Sequence, residues 1–278
     1  MTAQIQASTR PRLNLARCAF LAVVALVYLL ILAPVISVMV ISVFNAEIVS
    51  FPPDGLTLRW FVNAWEKREF ARGFVASLQL ALLATAIGVP IGTMAAFALD
   101  RSAMRGKGLI ANLLLGPLVV PGIIIGTALY MFYVQVENTI DQDVVGTTFG
   151  LVASHILLTI PWTVRLVSAG LAGVDSRIEE AAANLGARPL TVFFRVTLPT
   201  LRPAIVAATM FSFIQSFENL ELSLLLVGPG QTTLPVAMLN YLQFRIDPTL
   251  AAVGTIQIVV IAILMLITDR FVKLSRVV

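Results

Sequence analysis

The sequence predicts an all-α, polytopic membrane protein with six transmembrane helices. Three observations carry that expectation. Of 278 residues, 58% are apolar and 12% charged, about half the roughly 25% charge of a water-soluble domain, and mean hydropathy is +0.92. Six segments, 18–44, 74–99, 109–134, 148–171, 203–227 and 249–271, reach the roughly 20 apolar residues that cross a bilayer. The basic residues are distributed unevenly between the loops that join them.

Taken in order, residues 1–16 form a polar tail. Arg10, Arg12 and Arg17 ahead of an apolar run resemble a signal peptide, but the run 18–44 is too long for one and no small-residue cleavage site follows. It reads as an uncleaved first span. Segment 45–73 carries Trp60, Phe61 and Trp65 among mixed charges, which predicts a short amphipathic helix at the outer membrane interface. The second run contains Gly88-Val89-Pro90-Ile91-Gly92. The third contains Gly116-Pro117 and then Pro121-Gly122 through Gly126. The pairs Gly88/Gly92 and Gly122/Gly126 have the small-xxx-small spacing that lets helix backbones approach, and the prolines predict kinks. Such features serve packing alone as readily as transport. Asp100, beside Arg101, reads as an interfacial residue.

Cys18 is the single cysteine and His155 the single histidine. No internal disulfide is possible, and a lone histidine on an apolar run reads as a packing residue rather than a metal ligand. Net charge is +4 and pI about 9.6. The basic residues sit in short loops without interleaved aromatics, so the charge reflects topology, not nucleic-acid binding. One side collects Arg10, Arg12, Arg17, Arg101, Arg105, Lys107, Arg165, Arg177, Arg188, Arg195, Arg202, Arg270, Lys273 and Arg276. The other has Arg59, Lys67, Arg68, Arg72 and Arg245. This bias predicts a cytoplasmic 173–202 loop and cytoplasmic termini. The 135–147 loop, with Glu137, Asp141 and Asp143, fits the outside.

The loop 173–202 is the longest polar interval within the chain. Ser176 and Glu179 have capping-box spacing, EEAAANL favours helix, Gly186 is a C-terminal stop and Pro189 prevents continuation. A helix over about 177–185 follows, with a second short helix near Pro189. Ile178, Ala181, Ala182 and Leu185 make a narrow apolar stripe on the first. That stripe suits a cleft on another protein or the chain's own membrane helices equally well.

Glu180-Ala181-Ala182, three residues, Gly186, nine residues and then Val196-Thr197-Leu198-Pro199 resembles the EAA signature of bacterial ABC importer permeases, with valine where isoleucine is usual. Stretches 51–61 and 232–255 look like the PotC-like, spermidine/putrescine class of that family. The resemblance implies a type I importer permease fold: a six-helix domain over 17–272, a coupling loop over 173–202 and a short tail over 273–278. It implies that Glu180, Ala181, Ala182, Gly186, Arg188, Leu198 and Pro199 mark the contact with a cytoplasmic ATPase, with Arg195 nearby. It further implies a second, related permease subunit, two ATPase copies and a periplasmic solute-binding protein.

The sequence itself agrees on the division of labour. It has no G-x-x-x-x-G-K-[ST] phosphate loop and no nucleophile elbow or zinc-protease motif. The energy source is then another subunit or an ion gradient; the resemblance implies the former, a non-enzymatic transport subunit without its own cofactor, with ATP and Mg bound by the partner ATPase. An ion-driven secondary transporter would show internal pseudo-symmetry and matched broken helices, and neither is visible. A membrane enzyme would need a polar catalytic cluster, which one histidine does not make. Intramembrane carboxylates are costly and face a cavity or partner. Glu218 and Glu221, three apart on one expected helix face, with Asn219 beside them, are candidates for the substrate path. Ion pairs with the partner subunit are the alternative. The resemblance points to putrescine or spermidine as solute; iron, phosphonates and opine-like compounds are served by the same class.

Overall fold

The computed structural model describes residues 15–48 and 52–271. Expectations for both tails, including Arg10, Arg12, Lys273 and Arg276, and for the capping side chain of Ser176, lie outside the described groups. Thirteen α-helices follow in order: α1 (Leu15–Ile41), α2 (Arg59–Glu66), α3 (Arg68–Arg101), α4 (Lys107–Leu115), α5 (Gly122–Ile140), α6 (Thr148–Ala172), α7 (Ser176–Asn184), α8 (Pro189–Val192), α9 (Leu198–Thr200), α10 (Arg202–Phe217), α11 (Glu221–Leu226), α12 (Leu234–Phe244) and α13 (Thr249–Phe271). Five of them, α1, α3, α5, α6 and α13, are long and apolar enough to cross a membrane. A sixth candidate crossing is α10, whose 16 residues rise only about 24 Å, taken together with the preceding Pro189–Thr200 segment, from which it is bent by 70°.

The centre is the packing of α3, α6 and α10, the helices that share the most neighbours. Their facing residues are small: Ala81, Ala84 and Ala96 on α3, Ala204, Ala207 and Ala208 on α10. Gly88 and Gly92 of α3 lie against Thr159 and Thr163 of α6. A Cβ at position 92 would stand 2.6 Å from the Thr163 Cβ, and one at 88 would collide with the Thr159 hydroxyl. The threonine hydroxyls bond their own helix, Thr159 to the Ile156 carbonyl at 2.8 Å and Thr163 to the Thr159 carbonyl at 2.9 Å, and also reach across, Thr159 to the Ala84 carbonyl of α3 at 3.4 Å and Thr163 to the Ser212 hydroxyl of α10 at 3.2 Å.

Two expected spans are not continuous. The 109–134 run divides into α4, a 3-10 turn over Gly116–Leu118, and α5. Pro121 takes an extended ψ of 134°, and a residue before proline, here Val120, is itself driven from the helical region. The helix then runs on to Ile140, so 135–140 is helix and not loop. The 203–227 run breaks after Phe217. Glu218 has left helical geometry (φ −99°, ψ 5°), and the Asn219 side chain accepts from the Leu222 amide at 3.0 Å, starting a new helix. Glu218 and Glu221 therefore do not share one helix face.

At the end opposite the basic loops, the amphipathic helix expected in 45–73 is α2. Trp60 is buried, its indole donating to the Phe44 carbonyl at 2.6 Å, and the Arg59 guanidinium covers its ring. Trp65 on the other face is exposed. Helix α12, which the sequence did not announce, seats beside α3 through the Leu234 amide, which donates to the Ser77 hydroxyl at 2.9 Å. Asp247 then joins α12 to α13: it accepts from the Tyr241 hydroxyl at 2.7 Å and the Thr249 amide at 2.8 Å.

Two outcomes follow. Gly88→Val forces α3 and α6 apart at a cost of about 1–3 kcal/mol, read as a lower melting temperature of the detergent-solubilised protein. Burial raises the Asp247 carboxyl, but the Thr249 and Tyr241 hydrogen bonds and the Lys67 charge outweigh it and hold the group below its ordinary value. A depressed carboxylate stabilises the fold above its unfolded pKa, and that contribution vanishes as pH falls through the folded pKa. Asp247→Asn therefore melts below the wild type at neutral pH, and the gap closes on acidification.

Candidate functional site

The coupling region is built from its backbone outward. Helix α7 begins at Asp175, whose carboxylate accepts from the Arg177 amide at 3.0 Å. Asp175, not Ser176, is thus the N-cap residue, a shift of one position from the expected capping box. The C-terminal stop is Gly186 at φ +85°. Its amide donates to the Ala183 carbonyl at 2.9 Å and the Ala187 amide to the Ala182 carbonyl at 3.2 Å. This paired closure is the Schellman arrangement, and its left-handed position suits glycine.

The chain then starts α8 with Arg188 as N-cap and Pro189 in the first turn. It passes a widened π turn over Phe193–Thr197 and α9, which holds Leu198 and Pro199. It bends by 70° into α10.

Glu179 fastens this elbow to the bundle. Its Oε1 accepts from Arg101 Nη2 at 2.8 Å and from the Thr197 hydroxyl at 2.7 Å, and the Phe97 and Phe193 rings meet edge to face at 4.8 Å. The end of α3, the start of α7 and the π turn are thereby one unit. Glu179 and Arg101 were not among the residues expected to act here. Asp100 does sit beside Arg101, at 3.4 Å.

The elbow presents four large apolar side chains outward. Ile178 is 52% exposed, Leu185 89%, Leu190 73% and Phe194 60%. Glu180, Ala181, Arg188, Arg195 and Pro199 are also exposed, whereas Ala182 and Leu198 are partly covered. The apolar stripe of α7 thus does not pack on this chain's membrane helices.

The second candidate region is the break between α10 and α11. Glu218 lines an open groove of about 690 Å³ together with Val38, Met238, Leu242, Gly254 and Gln257. Glu221 lines a separate cavity of about 240 Å³ with Gln215, Asn219, Trp162, Pro117 and Gly122. The two carboxylates therefore serve different spaces on opposite sides of the broken span. Asn219 is buried, at 5% exposure, and is occupied in capping α11.

The two helix breaks also meet each other. A Cβ on Gly122 would lie 3.3 Å from the Glu221 carboxyl carbon, so the missing side chain lets the carboxylate rest at the start of α5, where a helix favours negative charge. Among the described residues no group of three or more His, Cys, Asp and Glu has the placement to hold a metal ion.

Comparison with known proteins agrees with this architecture. The chain is 29% identical over 225 residues to the putrescine transport system permease protein PotI of Escherichia coli (strain K12), covering 81% of this chain and 80% of that one. It is 26% identical over 250 residues to the spermidine/putrescine transport system permease protein PotC of the same strain, covering 90% and 92%. Its fold matches a solved bacterial alginate ABC transporter, in complex with an alginate pentasaccharide-bound periplasmic protein, with a TM-score of 0.70 at 16% identity, covering 92% and 93% of the two chains. The profile of the binding-protein-dependent transport system inner membrane components matches residues 88–276, well over half the chain. This chain belongs to that family and is a multi-pass inner-membrane permease subunit of an ABC importer, a transport protein without enzymatic activity of its own.

Proposed function

We propose that the chain forms half of the translocation path for a polyamine such as putrescine or spermidine, and that α7 docks in a groove on a cytoplasmic ATPase. The observation that carries the proposal is the bare apolar edge of the elbow, Ile178, Leu185, Leu190 and Phe194, on a segment whose own fastening faces the other way. Glu180 and Arg188 supply charge at its rim. ATP and Mg belong to the ATPase. The basic end of the bundle faces the cytoplasm, with both termini on that side. A related second permease, as a heterodimer, two ATPase copies and a periplasmic binding protein complete the importer.

Polyamines are polycations, so a carboxylate in a cleft is their natural counter-charge. Glu218 is the principal path residue in this reading: it is exposed in the larger groove, and among the described residues no hydrogen bond or ion pair engages its carboxylate. Glu221 and Asn219 contribute from the second cavity, although both also hold the breaks in place. The names of the similar permeases support the solute class.

Leu185→Glu places a charge on the docking edge without disturbing a packed residue. It should cut co-purification of the ATPase and solute uptake by roughly tenfold or more while membrane insertion persists; normal uptake sinks the docking assignment. Glu218→Gln should lower uptake of labelled putrescine or spermidine by about tenfold, the scale of one charge-assisted hydrogen bond. Undiminished uptake removes Glu218 from the path. The solute itself is decided by titrating the cognate binding protein with polyamines, iron, phosphonates and opines, and polyamine binding is the expected outcome.

A further inference from the structure

We propose that His155 is a positioning residue that clasps the two halves of the broken span, so that displacement of α10 is carried into α11. His155 lies on α6 and is completely buried. Its Nδ1 is 2.9 Å from the Ser216 hydroxyl, in the last turn of α10. Its Nε2 is 3.4 Å from the Ser223 hydroxyl, in the first turn of α11. Ser216 and Ser223 are themselves buried, at 2% and 0% exposure. Between them run Glu218, Asn219 and Leu220, where the helix is interrupted. Among the described residues His155 is the one side chain that hydrogen-bonds both halves.

The chemistry suits a clasp. A neutral imidazole offers one donor and one acceptor, and a serine hydroxyl answers either, so both contacts are satisfied in either tautomer. On an unbroken helix residues seven apart stand about 10.5 Å apart along the axis. Here both hydroxyls reach one five-membered ring, so the contact pair fits the broken conformation and is lost if the span straightens. A break without a clasp would be a loose joint. The cytoplasmic half, α10, continues directly from the 70° elbow, and anything that pushes the elbow moves α10 first. The ring on α6 makes α11, with Glu221, follow.

The inference rests on α7 being the ATPase-facing element. It does not depend on which carboxylate meets solute, so it stands even if Glu218→Gln transports normally. The test uses the whole importer, with its ATPase, second permease and binding protein, in liposomes. His155→Leu keeps a similar volume without polar atoms; His155→Gln restores a donor and an acceptor.

The readout is solute delivered per ATP hydrolysed, together with the distance distribution between spin labels replacing Phe211 and Leu224, which are both exposed. His155→Leu is expected to lower the ratio about fivefold or more, the scale of losing buried hydrogen bonds, to leave ATP hydrolysis running and to broaden the distance. His155→Gln is expected to recover most of both. Should the leucine variant fail to accumulate, the double variant Ser216→Ala/Ser223→Ala removes the same contacts and carries the same expectation. A wild-type ratio, or an unbroadened distance, in a folded variant lacking the clasp overturns the proposal.

Discussion

Close backbone contact between α3 and α6 requires that nothing larger than hydrogen stand at positions 88 and 92. Lipid tails are as apolar as leucine, so helices in a bilayer are not driven together by the hydrophobic effect and associate through close packing instead. The glycine and alanine seam meets that requirement, and α10 enters the same seam through Ala204, Ala207 and Ala208. Three further placements follow. The end of α3 delivers Arg101 to Glu179, its outer portion seats α12 through Ser77, and α6 carries His155 to the broken span.

Beside that trio the two interruptions stand out physically. An unsatisfied backbone group in hydrocarbon is expensive, so irregular chain at membrane depth persists only where protein or a water-lined cavity covers it. Here the breaks cover each other: the start of α5 lies against Glu221, and Asn219 turns its side chain back onto the Leu222 amide. Two imperfect helices thus form one supported layer beside α6.

The legible and illegible parts of the molecule divide along physical lines. Hydropathy is a property of each segment by itself, so the crossings at α1, α3, α6 and α13 were readable, as was the Gly186 stop, which needs only local backbone geometry. The breaks were not. Proline and glycine in an apolar run are compatible with a kinked continuous helix, and interruption at Glu218 depends on Asn219 choosing the Leu222 amide over solvent. The face-sharing expected of Glu218 and Glu221 failed for that reason. Glu179 was visible only as a capping residue, because its partner Arg101 is 78 positions away. Helix α12 is only 11 residues long, and its seat is made by α3 rather than by its own pattern. His155 was visible as a lone histidine on an apolar run, but which hydroxyls it meets is a matter of tertiary placement.

The exposed edge of the elbow has a consequence for the protein before it ever transports anything. A newly inserted copy, still without companions, holds Leu185, Leu190 and Phe194 in water, each a side chain whose burial is worth roughly 1.5–3 kcal/mol. Such a surface is sticky to chaperones, proteases and other stranded copies alike. Docking of the kind proposed for α7 would hide it, so a subunit without that partner carries an apolar liability that the assembled one would not.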